Sequence, residues 1–208
     1  MNTSNQTHGC IIVVEGLDGC GKSTLCRRLA ESRDAALLGT SASTLGEARP
    51  AVEASLRDSA LARHLFFASL VASISAEARR ITETGRDVVI DRYWLSTTAY
   101  GRAVRGLDLA LEDVALALHP ADITFFLEAP PAVRRARLAH RSSEAGEVNV
   151  EDLATLRPEV DQRLRDAFLE GLTCPVAGRG VVLEVSGLTP DAVLERALRE
   201  VAETRRAA

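Results

Sequence analysis

The stretch Gly16–Ser23, GLDGCGKS, fits the pattern G-x-x-x-x-G-K-S/T, a loop suited to holding a string of phosphates. Gly16, Gly19 and Gly21 let successive backbone N–H groups turn inward around an anion, and a following helix N-terminus adds partial positive charge. Cys20 fits this loop as a small side chain, since the sequence identifies no partner base that would activate its thiol. Lys22 has the reach for the β- and γ-phosphates, Ser23 offers a hydroxyl to Mg2+, and Thr24 stands toward the α-phosphate. Among 25 lysines and arginines the sole lysine is Lys22. A chain that uses arginine everywhere else needs a compact ammonium on a flexible stem at this one place. Asp18, inside the loop, either faces the acceptor or the metal, or closes a turn on its own backbone.

A second group of chemistry-bearing residues follows the apolar run Val88–Ile90. Asp91 and Arg92 stand at the C-terminal end of that run, the sheet edge where open α/β folds bind ligands. A carboxylate there can hold Mg2+ through water or orient an acceptor, and Arg92 can grip a phosphate through two N–H groups. An Asp–Arg pair that merely closes a strand end is the structural alternative. Arg134, Arg135, Arg137 and Arg141 cluster further on, with Arg137 and Arg141 sharing a helical face. They are either a solvated surface or part of a lid that closes basic groups over a triphosphate. Arg163 and Arg165 are weaker candidates for the same role. Glu128 is expected to be structural.

These residues need elements to position them, and the pattern supplies alternating strands and helices. Apolar, β-branched runs predict buried strands at Cys10–Val14, Ala36–Leu38, Val88–Ile90, Ile123–Leu127 and Val181–Val185. Helical spacing predicts helices at Lys22–Arg33, Leu61–Thr84 with Gly85 as its stop, Trp94 to about Arg102, Leu109–Leu118, Ala132–His140, Glu151–Leu172 with a break near Pro158, and Pro190–Ala202. The polar stretch Arg141–Val150 predicts a mobile loop. Five strands separated by helices imply a three-layer α/β/α fold, with a five-stranded parallel sheet covered on both faces.

Composition narrows the classes of function. A chain of 208 residues, 46% hydrophobic and 26% charged, has the material for one domain with a small lid, here about 141–158. A net charge of −4 argues against a nucleic-acid polymer as partner. No apolar run approaches the roughly 18 residues of a membrane span. The polar start predicts no signal peptide, and the four cysteines show no metal-ligand spacing, so a reduced, cytoplasmic protein is expected.

Taken together, the motifs resemble the thymidylate kinase branch of the P-loop nucleoside-monophosphate kinases. IIVVEGLDGCGKSTL resembles the family's opening strand and loop, including Glu15, Asp18 and Gly19. DRYWLSTTAY, Asp91–Tyr100, resembles D-R-Y/H/F-x-x-S-S/T-x-A-Y. Pro120–Pro131 resembles P-D-L/I-T-x-x-L-D-x-x-P, Arg137 and Arg141 fall on the two arginines that follow it, and QRLRDAF resembles R-x-R-x-x-Y with Phe168 in place of tyrosine. The resemblance implies a lid, a homodimer, ATP with Mg2+, and γ-phosphoryl transfer to dTMP. It also implies catalytic roles for Lys22, Arg92, Asp91, Asp18 and Arg141, with Arg137 on the donor nucleotide. Arg92 would hold the acceptor's phosphate, Phe67 would stack on its base, and Ser96 and Tyr100 would line its pocket.

The departures gather on the acceptor side. The family's T-R-E-P segment is replaced by Gly39–Gly46, which removes an arginine. The thymine-contacting arginine four residues after the stacking phenylalanine is Val71, and the glutamine after A-Y is Gly101. The lid's D-R-I/L-E has become Gly146–Glu151, without its arginine. A nucleoside-monophosphate kinase with a changed acceptor is the leading reading, and arginine at Val71 with glutamine at Gly101 would be expected to restore dTMP turnover. A kinase of a nucleoside or other small alcohol, with Asp18 or Asp91 as base, is the alternative. A nucleotide-binding regulator with weak transfer is the third.

Overall fold

The structure, a computed structural model, describes residues 8–40, 44–107, 109, 111–145 and 155–207, without the side chains of 44–47 and 141–145. Its strands are β1 (Ile11–Gly16), β2 (Ala36–Gly39), β3 (Val88–Asp91), β4 (Ile123–Glu128) and β5 (Arg179–Glu184). The helices are α1 (Lys22–Arg33), α2 (Thr44–Ser55), α3 (Ala60–Thr82), α4 (Trp94–Ala103), α5 (Glu112–Ala117), α6 (Pro131–Ala145), α7 (Pro158–Gly171) and α8 (Pro190–Ala207), and a 3-10 turn spans Pro175–Ala177. The strands form one parallel sheet in the order β2-β3-β1-β4-β5. The expected three-layer fold is the one observed.

Alternate residues of β1 bury into opposite layers, as the two-residue period of a strand requires. Ile12 and Val14 pack with Leu25 and Leu29 of α1 and with Val193, Ala197 and Val201 of α8. Ile11 and Val13 pack on the other face with Ala68, Val71, Ile74 and Ala78 of α3. A third cluster joins Phe126 of β4 to Leu95 and Ala99 of α4 and to Leu164 and Phe168 of α7. Phe168 stacks on Phe126 at 5.1 Å between centroids and meets Tyr100 edge-on at 6.4 Å. Its lack of a hydroxyl suits this apolar site, where a phenol would need a partner.

Several elements differ from expectation in presence or extent. Helix α2 was not expected, because Pro50 lies inside it and a Gly/Ser/Thr-rich segment precedes it. Helix α5 begins at Glu112 rather than Leu109. Helix α7 starts at Pro158, where the absent N–H costs nothing because first-turn donors have no intrahelical partner. The expected lid falls largely on residues outside the described ones. Arg141 lies in the backbone of α6, which continues through the start of the expected loop to Ala145.

Candidate active site

Strands β1 and β3 run parallel and end side by side, with Val14 in register with Asp91. The loop after β1 therefore meets the turn after β3 at one sheet edge. Gly19 and Gly21 have φ of +82° and +103°, values that side chains rarely adopt. A Cβ at Gly19 would also lie 2.8 Å from the Arg134 carbonyl, so the loop packs hard against α6. Arg134 is almost fully buried there, pairs with Asp161 of α7 and bonds the Ala129 carbonyl at 3.2 Å. The sequence signal for Arg134 was only a charge cluster, and its role is to pin α6 beside the loop.

Lys22 is buried, and its Nζ donates to the Leu17 carbonyl at 2.9 Å and lies 3.9 Å from Asp18. Ser23 Oγ donates to Asp91 Oδ2 at 2.7 Å, joining the loop to the end of β3. A hydroxyl and a carboxylate so placed are hard oxygen donors of the kind Mg2+ takes alongside phosphate oxygens, so the donor set fits that ion. Cys20 packs into the core and borders the smaller cavity described next, not the main cleft. Arg137 Nη1 donates to the Gly19 and Cys20 carbonyls at 3.2 and 3.0 Å. Arg137, Thr24 and Gly21 border a second, smaller cavity of about 220 Å³ that runs on to Val185, Leu188 and Pro190. The residues after β5 were missed by sequence reasoning, having no motif to mark them.

Beyond Lys22 the main cleft, about 590 Å³, is lined by Asp18, Ser23, Thr24, Gly39, Thr40, Arg49, Asp91, Arg92 and Arg137. Arg92 has φ of +69°, a left-handed conformation that disfavours non-glycine residues by roughly 1–2 kcal/mol. The guanidinium pairs with Asp18 and donates to Ser96 Oγ at 3.1 Å. Burial opposes its charge, but the carboxylates of Asp18, Glu15 and Asp91 around it hold its pKa above the usual range. Asp18 also accepts from Tyr100 Oη at 2.6 Å. It is thus an ion-pair and hydrogen-bond partner rather than a turn former alone.

Under this pair lies Glu15, fully buried on β1 and absent from the sequence-derived site. Its carboxylate accepts from the Tyr93 and Ser96 backbone N–H groups at 2.8 and 3.1 Å and from Ser96 Oγ. Burial raises its pKa, and those hydrogen bonds together with Arg92 oppose the rise. Glu15 fixes the turn that carries Arg92. The signal that could have found it is a lone carboxylate in an otherwise apolar strand, which must be paired to be tolerated.

Arg49 is the other residue that sequence reasoning missed. From α2 it enters the same cleft as Arg92, held by Glu53 at 3.0 Å and within 3.5 Å of Thr40 Oγ1. Its guanidinium carbon lies 5.1 Å from the centroid of Phe67, and that of Arg105 lies at the same distance. An arginine is therefore present on the flank where the sequence had lost one, supplied by a later element. Ser96 and Tyr100, both expected, stand behind Arg92 and Asp18. Val71 is different: at 1% exposed it belongs to the core beside Ile11 and Val13. A Cβ at Gly101 would lie 2.5 Å from His64 Nδ1. Arginine at 71 and glutamine at 101 would therefore bury a charge and collide with an imidazole, so the expected rescue of dTMP turnover by that pair is withdrawn. Arg141 lies on the described backbone, but its side chain is outside the described residues. Arg165, instead of facing the nucleotide, pairs with Glu128.

The comparisons with known proteins bear on this geometry. Residues 14–169 match the family model described as thymidylate kinase. The chain belongs to the thymidylate kinase family. It is 30% identical over 199 residues to the thymidylate kinase of Solidesulfovibrio magneticus, covering 88% of this chain and 94% of that protein. It is 32% identical over 163 residues to that of Xanthomonas euvesicatoria, covering 69% and 67%. Among solved structures, the thymidylate kinase of Candida albicans superimposes with a TM-score of 0.66 at 21% identity, covering 96% of this chain and 93% of that one, and shows the shared fold. Like its family, the chain is an enzyme of ATP-dependent phosphoryl transfer to a nucleoside monophosphate. Among the described residues no helix is long and apolar enough to cross a membrane.

Proposed function

We propose that the chain transfers the γ-phosphoryl group of Mg·ATP to a nucleoside monophosphate whose phosphate is gripped by Arg92 and Arg49. The observation that carries this reading is the convergence of Lys22, Ser23, Asp91, Arg92 and Arg49 on one cleft. Two arginines opposite a phosphate loop favour an acceptor that is already phosphorylated over a neutral alcohol. Asp18 is engaged with Arg92 and Tyr100, which makes it an organiser of that grip rather than a free base.

In this reading Lys22 leaves the Leu17 carbonyl for the β- and γ-oxygens of the donor. Loop N–H groups and the α1 N-terminus hold the α- and β-phosphates. Ser23 and Asp91 would hold Mg2+, which supplies neutralisation of charge on the transferring group. Arg92 and Arg49 bring the acceptor oxygen into line and share the charge that develops on the transferring group. Catalysis then rests on positioning and electrostatics, with no covalent intermediate on the protein. Arg137 approaches from the α6 side. With Val71 in the core, dTMP is read poorly and another base is preferred.

We also assign a homodimer formed through α3. Its outward face presents Leu61 and Leu65, 48% and 50% exposed, continuing into Ser69, Ala72, Ser73 and Ala76. Small side chains after two exposed leucines let a second copy approach closely.

The test is a panel of nucleosides, nucleoside monophosphates and sugar phosphates with ATP and Mg2+. Turnover confined to monophosphates supports the proposal, whereas faster turnover of an unphosphorylated nucleoside or other alcohol refutes it.

A further inference from the structure

At the α3–α4 contact lies a buried imidazole whose hydrogen-bonding capacity no described residue uses. His64 is 2% exposed, and neither Nδ1 nor Nε2 has a hydrogen-bond partner among the described residues. Buried polar atoms left this way are uncommon and call for an explanation. The ring lies against Gly101, where a Cβ would stand 2.5 Å from Nδ1 and 2.6 Å from Cε1. The imidazole therefore occupies volume available only because residue 101 is glycine.

A continuous set of contacts links this ring to the cleft. Phe67 is one helical turn beyond His64 on the same face of α3. Arg105, just past the end of α4, lies on Phe67 and acts electrostatically on His64. Arg49 lies on Phe67 as well and lines the cleft with Arg92 and Asp91. Tyr100, next to Gly101, bonds Asp18 in that cleft. Arg49, on the wall of the cleft, is thus joined through Phe67 to the helical turn that carries His64. Burial, and then the charge of Arg105, push the imidazole pKa down, which leaves one ring nitrogen a donor and the other an acceptor.

From this juxtaposition we propose that His64, seated against Gly101, is a specificity-determining residue of the acceptor site, hydrogen-bonding the polar edge of the nucleoside monophosphate's base at the α3–α4 contact. The inference rests on the acceptor being a nucleoside monophosphate. It assigns base recognition to the α3–α4 contact, in a chain whose residue 71 is committed to the core. An imidazole that offers both a donor and an acceptor suits a base edge where the two alternate, and it penalises an acceptor lacking either.

The experiment compares the full-length wild type with His64→Phe, His64→Gln and Gly101→Ala. Steady-state kinetics are taken on dTMP, dUMP, dCMP, dAMP and dGMP with ATP and Mg2+, and thermal melting is run in parallel. In His64→Phe we expect the KM for the preferred monophosphate to rise about tenfold to a hundredfold, with the KM for ATP unchanged. His64→Gln, which keeps a donor and an acceptor, should recover part of that loss, and Gly101→Ala should displace the imidazole and weaken the same acceptor. A His64→Phe enzyme with the wild-type order of acceptors and KM values within about twofold overturns the inference. If His64→Phe does not fold, wild-type acceptor affinity in Gly101→Ala overturns it instead. Failure of the wild type to use any monophosphate is a separate outcome, which overturns the functional reading and this inference with it.

Discussion

On the phosphate-loop side of the cleft, Gly19, Gly21, Lys22, Ser23 and Thr24 come from a single stretch of chain, and Arg137 adds itself by bonding that stretch's carbonyls. On the side proposed for the acceptor, Arg49, Phe67, Arg92 and Gly101 come from α2, α3, the turn after β3 and α4. The first side is a local backbone shape, so its residues keep fixed spacing and fixed types. The second is a space between elements, in which one residue can take over the position another has left. Arg49 stands on the flank where the loop after β2 has no arginine, and His64 fills the volume beside Gly101. Local sites are therefore conservative in pattern, whereas sites between elements can be rebuilt from different places in the chain.

The largest effect expected from this contrast falls on the local side. Lys22→Ala should lower kcat by about 10²–10³-fold or more with an unchanged melting temperature. Lys22→Arg should fail as well, because a planar fork does not replace a compact ammonium in the loop. Near-normal turnover by either variant would remove Lys22 from its assigned role.

Arg49 is the next test, since the replacement argument depends on it. In Arg49→Ala we expect the KM for the acceptor to rise about tenfold while the KM for ATP stays constant. An equal change in both constants would make Arg49 a general stabiliser of the cleft instead.

A smaller effect is expected for base choice in the unmodified protein. It should use dTMP with kcat/KM below the ordinary range of about 10⁴–10⁸ M⁻¹s⁻¹, and a different monophosphate should be turned over faster. If dTMP is turned over within that range and ahead of every other acceptor, the acceptor side has not been altered in function.

The smallest effect on chemistry should come from the outward face of α3. Light scattering should give a dimer mass for the wild type, and Leu65→Glu should shift it to the monomer with modest loss of turnover. A monomer mass for the wild type at micromolar concentration would refute the assigned interface.

The sequence by itself determined the phosphate loop, the five strands, the three-layer fold and the Asp91–Arg92 strand end. Each of these is written in short-range pattern: apolar runs for strands buried on both faces, glycines at fixed spacing, a carboxylate and an arginine where a run stops. Only the tertiary structure decided the rest. Arg134 read as one of several charged residues on a helix, and it is buried because α6 packs against Gly19 and α7 supplies Asp161. Arg49 was invisible because Pro50 and the segment before it concealed α2. Val71 and Gly101 read as lost recognition groups, yet one belongs to the core and the other makes room for His64. The physical reason is common to all of these. Burial and partnership depend on which elements meet in space, and contacts between α2, α3 and α4, or between α6 and the loop, leave no periodicity in the chain to read.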